Sequence, residues 1–173
     1  GAFSLGIMSE KNIIAIRDPW GFRPLALGKL DGGYLISSES CAFDIIGAQF
    51  IREIEPGEML IIDENGPRSV FYAHSHRKAF CIFELIYFAR PDSIIFGESV
   101  YLARKKMGWV LAEREDYDAD MVIPVPDSGI YAALGFSEKS KIPFELGMIR
   151  NPYVGRTFIR PGRENRNLAV KLK

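Results

Sequence analysis

DMVIPVPDSGIYAALGFS, Asp120–Ser137, is the stretch whose reading decides the fold of this chain. Met121–Val125 is an apolar run of strand length, and Pro124-Val125-Pro126 ends it. Asp127-Ser128-Gly129 then opens a segment in which Ile130, Ala133, Leu134 and Ser137 recur at helical spacing. A strand–loop–helix step sets a carboxylate, a hydroxyl and backbone N–H groups against a helix N-terminus. Anions bind there, because first-turn N–H groups lack intrahelical partners and the dipole is positive. The step alone is common in α/β proteins that bind nothing at that loop. Its companion is IRNPYVGRTFIRP, Ile149–Pro161, which is basic and glycine-containing, as a cover over a phosphate group should be. Together the two stretches point to a phosphate ligand.

Working outward, the chain has 173 residues, enough for one domain or two small ones with a real core. Hydrophobic residues make up 47% and charged residues 25%, the composition of an ordinary globular protein. The net charge is zero, so the overall balance favours neither nucleic acid nor an anionic membrane. Charge is unevenly placed, however: Arg150–Lys173 holds five Arg and two Lys against one Glu, a net of +6. No aromatic stacking platform accompanies that basic stretch, which argues against a nucleic-acid partner. Two cysteines, Cys41 and Cys81, form no disulfide framework, and reduced thiols in a cytoplasmic protein are expected. No run is long enough to span a membrane and no leader peptide is visible. Gly1 and Lys173 both read as cut ends of a longer chain.

The first seventy or so residues read as short antiparallel strands. Expected strands are Gly1–Met8, Ile13–Arg17, Pro24–Gly28, Tyr34–Ser37, Phe50–Ile54 and Glu58–Ile62, with turns at Asp18-Pro19-Trp20-Gly21, Asp31-Gly32-Gly33, Glu55-Pro56-Gly57 and Asn65-Gly66. Cys41–Gly47 fits one or two helical turns capped by Ser38 or Ser40. His74-Ser75-His76 could chelate zinc, but a single His-x-His pair is weak and a solvated link is the better reading. Ser99–Glu115 has an amphipathic helical pattern with Val100, Ala103, Met107, Val110 and Leu111 on one side and Arg104, Lys105, Glu113 and Arg114 interleaved. Phe144–Ile149 is expected to be a further strand. An antiparallel first part thus meets the beginning of a parallel α/β sheet within residues 74–95.

RDPWGFRPLALG (Arg17–Gly28), SSESCAFD (Ser37–Asp44) and EIEPGEML (Glu53–Leu60) resemble the later part of a class II glutamine amidotransferase domain. CIFELIYFARPDS (Cys81–Ser93), VIPVPDSG (Val122–Gly129) and YVGRTFIRPG (Tyr153–Gly162) resemble one family in particular, the amidophosphoribosyltransferases. The resemblance runs the whole length in motif order. It implies residues 1–75 as the C-terminal part of an α+β N-terminal-nucleophile hydrolase, in that fold's α/β/β/α build, and 76–115 as an interdomain segment and helix. Residues 116–173 would be the N-terminal part of an α/β type I phosphoribosyltransferase.

What the resemblance implies is a two-site enzyme of purine biosynthesis. One site releases ammonia from glutamine; the other uses it to displace pyrophosphate from phosphoribosyl pyrophosphate. The nucleophilic cysteine would precede Gly1, so no catalytic residue is expected within the chain, and the segment by itself is expected to be inactive. Carried over by position, Asp127, Ser128 and Gly129 cradle the diphosphate, with Ser128 contacting magnesium. Tyr153, Gly155, Arg156 and Thr157 lie in the loop that closes over substrate, and Arg156 is expected to meet phosphate. Pro152 departs from the family, which usually has a basic residue there. Cys81 falls where cluster-containing members have a [4Fe-4S] ligand, but cluster-free members also carry a cysteine there, so a buried core thiol is the alternative; Cys41 reads as structural, and the Arg17–Pro24 turn is expected to support loops. The full-length protein is expected to be a homo-oligomer. The alternative is an inactive remnant or binding-only module, lacking the cysteine and the family's Asp-Asp pair.

Overall fold

Strands joined by a few turn residues pair first with their neighbours, because closing a short loop costs little chain entropy. A computed structural model describes residues 1–74, 77–114, 116–155 and 161–172. Its first elements are β1 (Ser4–Met8), β2 (Ile13–Arg17), β3 (Ala26–Leu30), β4 (Gly33–Ser37), α1 (Cys41–Ile45), β5 (Gln49–Glu53), β6 (Glu58–Asp63) and β7 (Gly66–Phe71). They make two antiparallel sheets, ordered β1-β2-β6-β7 and β4-β3-β5. The expected strands are present, with β3 displaced two residues towards its C-terminal end.

Alternation decides how the sheets stack. Along β6, Glu58, Leu60 and Ile62 are buried while Met59, Ile61 and Asp63 are less so. Leu60 and Ile62 join Ala15, Leu25, Leu27 and Ile54 in one core, against which Ile13, Tyr34 and Ile36 pack. These residues come from both sheets, so the sheets lie face to face. The other side of the three-stranded sheet buries Ala26, Phe43 and Ala48, which places α1 there. At Gly28 a Cβ would come within 2.7 Å of the Phe43 ring, so only glycine lets that ring lie on the strand. On the far side of the four-stranded sheet, register puts Leu5, Ile7, Ile14, Ile16, Met59, Ile61 and Val70 on one face. No helix covers that face among the described residues, and Leu5 and Ile7 remain 44% and 47% exposed.

The chain divides into two compact units, Gly1–Arg104 and Lys105–Lys173. The division falls inside α2 (Val100–Ala112), in the segment read from sequence as interdomain. Before it come a π-helical turn, Glu84–Phe88, and a two-residue hairpin of β8 (Ile94–Ile95) and β9 (Glu98–Ser99). Ala89, Ile95 and Val100 form a small core of their own. Arg104, read from sequence as a charge interleaved with the apolar positions of its helix, is only 4% exposed. Its guanidinium donates to the carbonyls of Leu85 (2.7 Å) and Ala89 (2.8 Å). Those carbonyls have no helical partner, and the arginine supplies one.

The second unit contains the rest of α2, α3 (Ile130–Ser140) and α4 (Arg163–Leu172). Gly108 and Gly135 bring α2 and α3 together: a Cβ at Gly108 would overlap the Ala132 carbonyl, and one at Gly135 the Lys105 carbonyl. The expected strands Met121–Val125 and Phe144–Ile149 reduce to a single parallel bridge, Val122 with Phe144. It is closed by Val122 N–H to Pro143 O (2.8 Å) and Glu145 N–H to Val122 O (3.0 Å). Parallel strands need both faces covered, yet Ile123, Val125, Leu146 and Met148 are all more than 40% exposed. α4 was not foreseen. Pro161-Gly162 before it, Glu164 in its first turn and Lys171 in its last are the local signals that suit a helix.

Candidate functional site

In the second unit the chain leaves the Val122 bridge, passes Pro124-Val125-Pro126 and enters α3 through Asp127-Ser128-Gly129. Gly129 occupies the N-cap position with helical backbone angles and no side-chain cap. The turn is closed by backbone alone, with Gly129 N–H donating to Val125 O (3.1 Å) and Ile130 N–H to Asp127 O (3.4 Å). A Cβ at Gly129 would sit 2.6 Å from the Val125 oxygen, so the tight return of the loop requires glycine. The Pro126–Asp127 peptide is cis.

The Asp127 carboxylate projects to solvent at 65% side-chain exposure and pairs with Arg150 at 2.8 Å. Arg150 was counted from sequence only as part of a basic stretch; a partner 23 positions away is invisible to local pattern. The loop therefore offers a hydroxyl, a carboxylate, a guanidinium and a helix N-terminus. The N–H groups of the helix terminus suit an anion; the carboxylate does not, and it offsets the charge of the guanidinium paired with it.

Of the covering loop, Tyr153, Val154 and Gly155 are described, while Arg156 and Thr157 lie outside the described residues. Asn151 shapes the turn: its Oδ1 accepts from Tyr153 N–H (3.0 Å), and its carbonyl accepts from Val154 N–H (3.3 Å). Its Nδ2 donates to the Leu172 carbonyl at the end of α4 (2.9 Å). Pro152 fits the second position of this turn, where its fixed φ is tolerated. Tyr153 is 95% exposed and Val154 is 8% exposed, so Val154 anchors the turn and Tyr153 projects from it.

Magnesium prefers several oxygen ligands in octahedral array. Asp127 and Ser128 supply one carboxylate, already paired with Arg150, and one hydroxyl; among the described residues no group of three His, Cys, Asp or Glu could hold a metal. These residues do not make a magnesium site by themselves. His74 stacks on Phe71 with centroids 5.8 Å apart, and His76 lies outside the described residues. For an iron–sulfur cluster, Cys81 is one thiol where four thiolates are needed. Its sulfur lies 3.9 Å from Arg23 Nη1. Cys41 is 4% exposed, and burial pushes its thiol up, which suits a structural residue and not a nucleophile.

In the first unit the Arg17–Pro24 turn is held by its own polar groups. The buried Asp18 carboxylate accepts from Trp20 N–H (2.9 Å) and Phe22 N–H (3.1 Å). Arg17, 1% exposed, donates to the carbonyls of Arg23 (3.0 Å), Ile54 (2.6 Å) and Gly21 (3.3 Å) and pairs with Glu53 (3.2 Å). Its guanidinium lies 5.7 Å from the rings of Phe80 and Phe96, which stack on each other at 4.2 Å. Ser40 caps nothing; its Oγ accepts from Ile94 N–H (2.8 Å). Glu39 beside it accepts from Arg90 N–H (2.7 Å) and Ser93 Oγ (2.9 Å). No buried side-chain nitrogen or oxygen among the described residues lacks a partner.

No family model matches the chain. Over all 173 residues it is 50% identical to the amidophosphoribosyltransferase of Archaeoglobus fulgidus, of which it covers 38%. The Bacillus subtilis amidophosphoribosyltransferase is 47% identical over the same length, with 36% of it covered. The chain thus spans a little over a third of the length of these relatives. A solved glutamine phosphoribosylpyrophosphate amidotransferase from B. subtilis, complexed with ADP and GMP, superposes with a TM-score of 0.88 at 48% identity, over 97% of this chain and 37% of that one. End to end, the chain is similar to a segment of the amidophosphoribosyltransferases.

Proposed function

We propose that this chain is part of an amidophosphoribosyltransferase. The whole protein would convert phosphoribosyl pyrophosphate, glutamine and water into 5-phosphoribosylamine, glutamate and pyrophosphate, the first step of purine biosynthesis. The observation that carries the reading is the half-identical match along every residue to relatives of that name, which favours an enzyme over an inactive remnant. The stacked antiparallel sheets would be the later part of the N-terminal-nucleophile hydrolase domain, and the second unit the beginning of the type I phosphoribosyltransferase domain.

In that role Asp127-Ser128-Gly129 receives the diphosphate, with N–H groups of the first turn of α3 facing its oxygens. Pyrophosphate leaves as charge builds on those same oxygens, so fixed donors there lower the barrier. Tyr153, Gly155, Arg156 and Thr157 close over the substrate, and Arg156 supplies a planar, permanently charged fork to phosphate. Closure keeps water from a centre that must react with ammonia. Magnesium, if bound, would neutralise charge on the diphosphate, and Ser128 would supply one of its oxygen ligands. A cytoplasmic, homo-oligomeric enzyme is the setting this function suits.

The test is Arg156→Ala in the full-length protein. Phosphoribosyl pyrophosphate use should fall by about a hundredfold in kcat/KM, the loss of a charged contact to a phosphate (~2–3 kcal/mol). Basal glutamine hydrolysis should continue. Unchanged KM and kcat for phosphoribosyl pyrophosphate would refute the assignment.

A further inference from the structure

Arg150 and Asn151 are adjacent, and their side chains run to different parts of the second unit. Arg150 Nη1 pairs with Asp127 Oδ2 at 2.8 Å, in the loop that enters α3. Asn151 Nδ2 donates to the Leu172 carbonyl at the end of α4, at 2.9 Å across 21 residues of chain. The turn Asn151–Val154 starts from these two ties. Asn151 heads it: its carbonyl accepts from Val154 N–H (3.3 Å) and its Oδ1 from Tyr153 N–H (3.0 Å). Pro152 fills the second position with a fixed φ and no donor of its own.

Apolar packing does little to fix α4 in place, since Leu168, Val170 and Leu172 are each more than 50% exposed. The last carbonyls of a helix lack intrahelical partners, and Asn151 gives Leu172 one. A plain helix cap would need only the amide nitrogen. Here the oxygen of the same planar amide is engaged as well, by Tyr153 N–H. One rigid group therefore couples the direction of Tyr153 to the end of α4. Tyr153 is 95% exposed, so its direction comes from the turn and not from packing. Opening the bond to Leu172 would return chain entropy to the span that it closes.

We propose that Asn151 is a positioning residue: by joining the turn Asn151–Val154 to the end of α4, it presets the direction in which Tyr153 and Gly155 leave the stem tied to Asp127, and recognition of a pentose diphosphate depends on that direction. The inference rests on the function proposed above, in which Asp127, Tyr153 and Gly155 all belong to the surroundings of that substrate. When only a fraction of the molecules hold a turn in its binding-competent direction, apparent affinity falls by that fraction. Saturating substrate draws the whole population into the competent form and restores full turnover. Loss of the amide therefore acts on KM and leaves kcat in place.

The experiment uses full-length protein carrying Asn151→Ala or Asn151→Ser. Alanine removes both bonds of the amide. Serine keeps an oxygen that can accept from Tyr153 N–H, but it ends one bond short of the amide nitrogen that reaches Leu172. Pyrophosphate release is measured against phosphoribosyl pyrophosphate concentration at saturating glutamine. In both variants KM for phosphoribosyl pyrophosphate should rise about fivefold to tenfold, with kcat within about twofold of wild type. A role confined to capping α4 would lower the amount of folded enzyme, and so kcat, at constant KM. A KM within about twofold of wild type in the alanine variant, or a loss carried mainly by kcat, overturns the positioning role. A wild-type KM in the serine variant overturns the tie to α4 as its cause. Wild-type protein that releases no pyrophosphate under these conditions overturns the functional reading, and this inference with it.

Discussion

Replacing Arg17 with Met should destabilise the first unit by about 3–5 kcal/mol, the range for breaking a buried ion pair. The magnitude follows from what the guanidinium holds. It is 1% exposed and donates to three backbone carbonyls, those of Arg23, Ile54 and Gly21. Each acceptor left without a donor costs about 1–3 kcal/mol when water cannot reach it. Glu53, 20% exposed, can be partly solvated once its partner has gone, so its share is small. Methionine retains the apolar stem against Phe80 and Phe96, which keeps the total at the lower end of the summed range. For a unit of this size about 4–8 °C accompany each kcal/mol, so the melting transition should drop by more than about 12 °C. Thermal and urea unfolding followed by the fluorescence of Trp20, three residues away, report on this region. Arg68→Met is the control: its pair with Asp63 is long at 3.8 Å and 61% exposed on the arginine side, so the change should be under about 0.5 kcal/mol. If Arg17→Met unfolds within about 1 kcal/mol of wild type, the carbonyls are satisfied by other means and the clamp argument is wrong.

Gly135→Ala should force α2 and α3 apart where the added Cβ meets the Lys105 carbonyl, costing about 1–3 kcal/mol in the second unit, read from Trp109 fluorescence on denaturation. An unchanged midpoint would show that the helices can slide without loss. Glu58→Gln tests a buried carboxylate. Burial alone would raise its pKa, but hydrogen bonds from Arg52, Ser69 and the Glu55 N–H prevail and hold it below the ordinary carboxylate value. A depressed folded-state pKa gives stability that is present above the unfolded-state value of about 4.3 and is lost as pH falls through the folded-state value. Wild type should accordingly be the more stable protein at neutral pH, with the gap closing in acid; a constant gap would count against this account. Glu84 has the opposite sign, since its raised pKa makes the ionised carboxyl a cost as pH rises above the unfolded-state value. Glu84→Gln should remove that decline, visible as a flatter midpoint as pH rises above the unfolded-state value of about 4.3.

The antiparallel strands were legible because their signals are local: alternation along Ile13–Arg17 and Glu58–Ile62, with Asp, Asn, Gly or Pro at the turns. The Asp127–Gly129 loop was legible for the same reason, as a break in one period followed by the start of another. Ser40 was misread as a cap because a serine before a helix usually is one; nothing nearby in sequence announces Ile94 as its donor. Arg104 was read only as a charge interleaved with apolar residues; that the carbonyls of Leu85 and Ala89 receive it is a contact 15 to 19 residues back along the chain. The strand expected at Phe144–Ile149 reduces to one bridge, since its apolar residues have strand character but no neighbours among the described residues cover them.

Strands β1 to β6 and the short helix α1, the loop poised at a helix N-terminus and, through its motifs, the family resemblance can all be read in the chain itself, whereas the π-helical turn and the β8–β9 hairpin cannot. Period and turn chemistry act over a few residues, so they can be read from the chain directly. Tertiary structure alone decided that Arg17 is a buried clamp, that Arg150 meets Asp127, and that Glu84 turns inward onto Arg23. Those choices depend on which charge finds which partner across 23, 37 or 61 residues of chain. The energy of such a pairing is set by burial and distance, and neither exists until the chain has folded.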